Sequence, residues 1–286
     1  MAILIRPRLY GKATLFRALS IGATMQDKPA RPALRYHGGK WRLAEWIMEF
    51  FPQHTCYVEP FGGAASVLLQ KNRSYAEVYN DLDGRVVNFF EVVRNQETCL
   101  ALIQALLFTP YSRDEFRAAW ADTNDPLESA RRIAIRAMMG FGSAGATKGS
   151  TGFRVDTNRK YGTAQKNWQE YPALLVAVMK RLQGVLIENR PAIDVMRQHD
   201  AADTLHYVDP PYLLKTRSLS GKAYQHEMTD EQHVELLDTL LELEGFVVLS
   251  GYDNALYREK LKGWQTHSTS SRISGQNGSK VKTEFV

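Results

Sequence analysis

The stretch Leu205-His206-Tyr207-Val208-Asp209-Pro210-Pro211-Tyr212 decides how this chain reads. Leu205, Tyr207 and Val208 mark an apolar strand, and that strand runs into an acid, two prolines and an aromatic ring. The prolines fix φ and carry no N–H donor, so oxygen acceptors at this strand end are presented rigidly. An aromatic amine, such as the 6-amino group of adenine, is a poor nucleophile because its lone pair is delocalised into the ring. A carboxylate (Asp209) and a backbone carbonyl (Pro210) that accept its two hydrogens pull the nitrogen towards tetrahedral geometry. Pro211 stiffens the turn, and Tyr212 offers a flat face on which a base can stack. The competing reading is a strand closed by a Pro-rich turn without chemistry, so the rest of the chain has to decide.

Upstream, Cys56-Tyr57-Val58 reads as a short buried strand that runs into Glu59-Pro60-Phe61-Gly62-Gly63-Ala64-Ala65-Ser66, with an apolar helix starting at Val67-Leu68-Leu69. A second strand over 75–79 ends at Asn80-Asp81. Strand, Gly-containing turn, helix and a second strand ending in an acid is the layout of a nucleotide-cofactor site. Gly62 and Gly63 let a ligand approach the backbone closely. Asp81 is placed to accept both ribose hydroxyls of an adenosine, or else to cap the next helix. The turn is neither G-x-G-x-x-G nor a P-loop, which favours an adenosyl cofactor without a pyrophosphate, and S-adenosylmethionine fits. Arg35-Tyr36-His37-Gly38-Gly39-Lys40 leads tightly into a helix over 41–50, stopped by Pro52. Tyr36 either covers the cofactor or packs on that helix. Lys40 is either solvated or a positive tip that enters the site from the end opposite Asp209.

Val86, Phe89, Phe90 and Val93 mark one helix face. Helices are expected around 98–107 and 126–139, then a polar, Gly-rich loop over 140–166 and a helix over 172–182. Strands return at 185–188 and before Asp209. A helix over 229–244 opens with the Thr229-to-Gln232 capping-box spacing, and a further strand covers 246–249. This alternation predicts a parallel α/β sheet interrupted by a helical, basic insertion. The catalytic part is assigned to 31–94 and 184–286, the insertion to 95–183. Residues 1–30 read as a disordered extension or the product of an upstream translation start, in preference to an organellar transit peptide.

The chain has 286 residues, 44% hydrophobic and 23% charged, enough for one large domain or two. No apolar run approaches the roughly 18 residues of a membrane span. Cys56 and Cys99 lie far apart without metal-ligand spacing, so a reduced, cytoplasmic protein without a metal is expected. Of the net charge of +5, residues 129–181 hold ten basic residues against two acids, a local +8. Residues 1–30 hold five against one, so the remainder is acidic on balance. The basic block also carries Phe141, Phe153, Tyr161 and Trp168, which suggests a polyanion-binding surface rather than a merely solvated face.

Taken in order, Tyr36-His37-Gly38-Gly39-Lys40, Val58-Glu59-Pro60-Phe61-Gly62-Gly63, Tyr79-Asn80-Asp81 and Tyr207-Val208-Asp209-Pro210-Pro211-Tyr212 resemble the Dam-type family of N6-adenine-specific DNA methyltransferases, especially its phage-borne members. The likeness spans roughly residues 31–286, with 246–254 and Arg272-Ile273-Ser274-Gly275-Gln276-Asn277-Gly278 resembling later family segments. It implies a Rossmann-like methyltransferase sheet with a target-recognition insertion between the cofactor half and the catalytic half. The basic block falls in that slot. It further implies that Tyr36, Lys40, Phe61 and Asp81 line an S-adenosylmethionine pocket, together with Glu59, Pro60, Gly62 and Gly63. Asp209 then stands where cofactor and flipped adenine meet. The implied partner is double-stranded DNA, bound by a monomer or by a dimer on the DNA. Its expected contacts are Arg131, Arg132, Lys148, Arg154, Arg159, Lys160, Lys166 and Asn277. The sequence stops where the family usually completes its last strand; a missing strand leaves the sheet edge open, with the chain either clipped there or closed differently. The rivals are an RNA or protein amide methyltransferase, whose families more often carry Asn in place of Asp209, and an inactive DNA-binding homologue.

Overall fold

Short apolar strands set the frame. The computed structural model describes residues 28–143, 145–146, 151–155, 163–216, 224–275 and 278–285. In it β1 (Cys56–Glu59), β2 (Ala76–Asn80), β3 (Val185–Glu188), β4 (Thr204–Val208) and β5 (Phe246–Leu249) form one all-parallel sheet in the order β3-β2-β1-β4-β5. Val58 of β1 stands beside Val78 of β2 on one side and His206 of β4 on the other. The chain moves outward from β1 to β3 and then returns to the opposite side of β1 for β4. In open parallel sheets a ligand crevice forms at such a reversal, beyond the carboxyl ends of the strands. The expected α/β methyltransferase sheet is present.

The helices are α1 (Ala44–Met48), α2 (Gly84–Arg94), α3 (Gln96–Leu107), α4 (Arg113–Ala118), α5 (Pro126–Met139), α6 (Ala164–Leu182), α7 (Ala192–Gln198), α8 (Asp230–Glu242) and α9 (Ala255–Lys260). The expected apolar face of α2 is buried at Val86, Phe89, Phe90 and Val93, and the Thr229–Gln232 capping box opens α8 with both of its reciprocal bonds. A separate antiparallel pair, β6 (Ser268–Gly275) and β7 (Gly278–Phe285), follows. Among the described residues β5 pairs only with β4, leaving its other edge open. No described helix is long and apolar enough to cross a membrane.

Two local expectations fail for identifiable reasons, and a third, residues 1–30 as an extension, bears on the structure only at its described end. No helix starts at Val67. The chain passes through turns, with Ala65 at φ +53° and the Leu68 N–H donated to the Glu59 carboxylate rather than to a helical carbonyl. α6 begins eight residues before Pro172, because Thr163 caps it and a buried face of Ala164, Trp168, Tyr171 and Leu175 runs past the proline. Trp168 Nε1 donates to the Thr109 carbonyl and Tyr171 Oη to the Ala33 carbonyl, which holds the early turns in place. Finally, the described end of the N-terminal segment is packed: Pro29 is buried and Lys28 Nζ donates to Asn72 Oδ1 at 2.9 Å. Residues 1–27 lie outside the described residues.

The inserted helices share the core of the sheet. Leu102 and Ile103 of α3, Ile133 of α5 and Leu175 of α6 belong to the same buried cluster as Tyr57, Tyr79 and Phe90. A buried ionic triad adds a polar tie. Arg181 at the end of α6 donates from both terminal nitrogens to Glu77 on β2 (2.7 and 2.9 Å), and Lys71 Nζ donates to the same carboxylate at 2.7 Å. All three are at most 4% exposed. Burial pushes the Glu77 pKa up, but the bonds from Arg181 and Lys71 outweigh it and hold the group below its ordinary value. Removing one member of a buried ionic set leaves uncompensated charge. Glu77→Gln is therefore expected to cost about 3–5 kcal/mol, read from the urea midpoint. Because the folded-state pKa is depressed, the wild-type advantage should be full above the ordinary carboxylate pKa and disappear as pH falls through the folded value.

Candidate active site

The crevice at the β1/β4 reversal is a cleft of about 940 Å³, counted out to its open mouth. Its floor is built first by the turn after β1. Gly62 N donates to the Asn80 carbonyl at 2.7 Å, and a Cβ added at Gly62 would stand 2.2 Å from the Tyr79 ring. Gly63 has φ +48°, and a Cβ there would come within 3.0 Å of the Tyr36 ring. The two glycines thus admit the protein's own rings, Tyr79 and Tyr36, to the turn. Tyr36 lines the cleft over Gly63.

Asp81 lies beyond the end of β2. Its Oδ2 accepts from Gly63 N and its Oδ1 from Asp83 N, both at 2.8 Å. The helix cap falls to Asp83, whose side chain accepts from Arg85 N. Burial pushes Asp81 up to about 6, against the pull of the two backbone N–H groups. Glu59, 2% exposed, accepts at one oxygen from Tyr57 Oη (2.7 Å) and Leu68 N (2.9 Å). Burial lifts it to about 8; the Tyr57 and Leu68 bonds oppose the lift, and the charge of Asp209 adds to it.

Asp209 follows β4 and faces this same cleft. Its Oδ2 accepts from Lys40 Nζ at 2.8 Å and its Oδ1 from Tyr212 Oη at 3.0 Å. Lys40 therefore corrects the sequence expectation. It does not enter opposite Asp209 but sits on it, 5% exposed, with a further bond to the Gly38 carbonyl. A desolvated ammonium requires such a counter-charge. Tyr212 is 9% exposed; its ring meets Tyr252 edge to face at 4.6 Å, and Lys40 Nζ stands 4.9 Å from its centroid. Pro211 lines the cleft, whereas Pro210 and Tyr212 stand behind its wall.

All eight expected cofactor positions thus converge on one cleft with Asp209. Sequence reasoning missed others on that wall. Asn80 clamps the floor by donating to the Pro60 and Arg190 carbonyls and accepting from Arg190 N. Tyr224 to Met228 close the side nearest α8, with Tyr224 packed edge-on against His37. Their one signal was an aromatic and titratable run directly ahead of the capping box. The expected DNA contacts scatter. Arg131 donates to Glu128, Glu115 and Thr109, and Arg132 to Glu128 and the Ala121 and Asp122 carbonyls. Arg154 N donates to the Met139 carbonyl, and Lys166 is exposed on the first turn of α6. Lys148, Arg159, Lys160 and Asn277 lie outside the described residues.

Raised carboxyl pKa values mean that the folded chain holds these protons more tightly than the unfolded one. Stability is then greatest below the ordinary carboxylate pKa and declines as pH rises through about 6 for Asp81 and about 8 for Glu59. Glu59→Gln is expected to flatten the upper part of this decline in melting temperature, measured between about pH 5 and pH 9. An unchanged slope in that variant would contradict the assignment of the upper step to Glu59.

Comparison with known proteins agrees with this architecture. The DNA adenine methylase of Escherichia coli (strain K12) is 26% identical over 269 residues, covering 90% of this chain and 94% of that protein. The DNA adenine methylase of Serratia marcescens is 25% identical over 251 residues, 84% of this chain and 89% of that protein. The DNA N-6-adenine-methyltransferase of Escherichia phage P1 is 24% identical over 102 residues, 33% of this chain and 13% of that protein. The family model for D12 class N6 adenine-specific DNA methyltransferases matches residues 36–274, a span that contains every residue of the cleft wall. On that match, the chain belongs to the D12 class N6 adenine-specific DNA methyltransferases.

Proposed function

We propose that this DNA adenine methyltransferase takes its methyl group from S-adenosylmethionine and delivers it to the N6 amino group of an adenine flipped out of duplex DNA. The observation that carries this reading is the position of Asp209, on the same cleft wall as the Gly62–Gly63 turn and Asp81. The donor set suits an adenosyl group with a charged amino-acid tail. Tyr36 and Phe61 offer flat faces, Asp81 and Glu59 offer carboxyl oxygens, and the turn after β1 is not a P-loop with its Lys-Ser/Thr. When bound, S-adenosylmethionine supplies a methyl group activated by its sulfonium.

The residues then act by positioning and electrostatics. Each Asp81 oxygen already accepts one backbone N–H and keeps a lone pair for a ribose hydroxyl. Lys40 and Tyr212 fix the Asp209 carboxylate, which lines the cleft and can accept an amine hydrogen of the target base. With that donor bound, the nitrogen would gain the methyl group as the carbon–sulfur bond breaks to leave a neutral thioether. The surplus amine proton would pass to the Asp209 carboxylate and on to solvent, and no covalent enzyme intermediate would be needed. A base inside a duplex is out of reach, so it has to leave the stack. The basic insertion over 95–183 serves as the target-recognition part and contacts phosphates, which makes binding steeply salt-dependent. The chain works in the cytoplasm, as a monomer or as a dimer on DNA.

Asp209→Ala is expected to lower labelled-methyl incorporation into duplex DNA by at least about 10²-fold while leaving DNA affinity largely intact. Asp209→Asn, run beside it, keeps a partner for Lys40 and separates loss of chemistry from loss of folding. Normal turnover in a folded variant would rule out the role of Asp209. Parallel incorporation assays on RNA and protein test the rival substrates directly.

A further inference from the structure

Three arginines of α5 differ in their surroundings. Arg131 and Arg132 spend their guanidinium groups on Glu128, Glu115 and nearby oxygens. Arg136, one turn further on, is 8% exposed and has neither a side-chain hydrogen bond nor an ion pair among the described residues. Its Nε is sealed from solvent without a partner, whereas its terminal nitrogens are not sealed in the same way. Its guanidinium lies 5.2 Å from the centroid of the Trp120 ring.

The charged groups around Arg136 are Arg85 and Asp83 at the start of α2, together with Asp122 and Arg132. Asp83 is already taken, since Arg85 donates to its two oxygens at 3.0 and 2.8 Å. Burial, reinforced by Arg85, pulls Arg136 down to about 10, and at neutral pH it remains charged. A desolvated, unpaired cation is a standing cost to the fold, only partly offset by an aromatic face. Such a group becomes favourable once an anion arrives.

We infer that Arg136, on its Trp120 platform and beside Arg85, is the seat for one backbone phosphate of the DNA substrate. The planar guanidinium fork matches phosphate geometry. The seat lies within the +8 segment 129–181. It is tied to the cleft through Arg85, which bonds Asp83 and Gln225, two side chains that line it. A strand that delivers a base into the cleft runs its phosphates past that rim. This inference rests on duplex DNA being the substrate, and it adds Arg136, which the eight expected contacts omit, in place of its helix neighbours Arg131 and Arg132, whose guanidinium groups are already bonded.

The test compares wild type, Arg136→Met, Arg136→Lys and Arg131→Met for melting temperature without DNA and for duplex affinity across a salt series. Arg136→Met should melt at or above the wild-type temperature. It should bind duplex DNA about tenfold more weakly at 0.1 M salt, with a log K against log salt slope shallower by about 0.9. Arg136→Lys should keep the slope and lose affinity, as expected when the charge stays and the fork goes. Arg131→Met should melt lower and keep the slope, because it strands Glu115 and leaves Glu128 only its bond from Arg132. If the wild type binds duplex DNA with steep salt dependence and a folded Arg136→Met shows the same slope, the seat is refuted and the substrate assignment stands. If the wild type does not bind duplex DNA, both fall.

Discussion

A lysine ammonium 5% exposed to solvent has to meet an anion inside the protein, and Lys40 meets Asp209, 169 residues further along the chain. That one ion pair joins the turn at Tyr36–Gly39 to the end of β4. The Gly38 carbonyl and the Tyr212 hydroxyl complete the bonding around it, so neither charged group can move without leaving another unsatisfied. The cleft is the space held open between this clasp and the Gly62–Gly63 turn. The reversal of strand order at β1 places the two sides opposite each other.

Within that space the electrostatics are lopsided. Lys40 is committed to Asp209, while Asp81 and Glu59 are carboxyls whose burial favours the neutral form. A pocket that holds protons against its own acids gains most from a ligand that brings positive charge, because ionising the acids then becomes favourable. A sulfonium and an ammonium on one molecule meet that condition. A diphosphate does not.

The periodic parts of the fold were legible in the sequence. The apolar strands, the α2 stripe, α5 and the capping box of α8 each repeat a local signal, and the structure places them where that signal pointed. The acid at the end of the apolar strand and the Gly-Gly turn were legible as well, since strand order alone brings them to one crevice. Pairing was not legible. Lys40 could not be placed because its partner lies far along the chain. Counting arginines could not distinguish Arg131, which is saturated by carboxylates, from Arg136, which is not. Pro172 looked like a helix start because the tertiary anchors of Trp168 and Tyr171 leave no mark in the local pattern.

The single cluster shared by α3, α5, α6 and the sheet also bears on how such enzymes diversify. Had the segment between β2 and β3 owned a separate interior, it could be exchanged between relatives as a cassette. Here a graft cut at its ends would tear open the packing around Tyr79 and Phe90 and break the tie from Arg181 to Glu77. Variation in this segment that preserves the fold therefore has to keep the inherited interior and fall on outward-facing side chains.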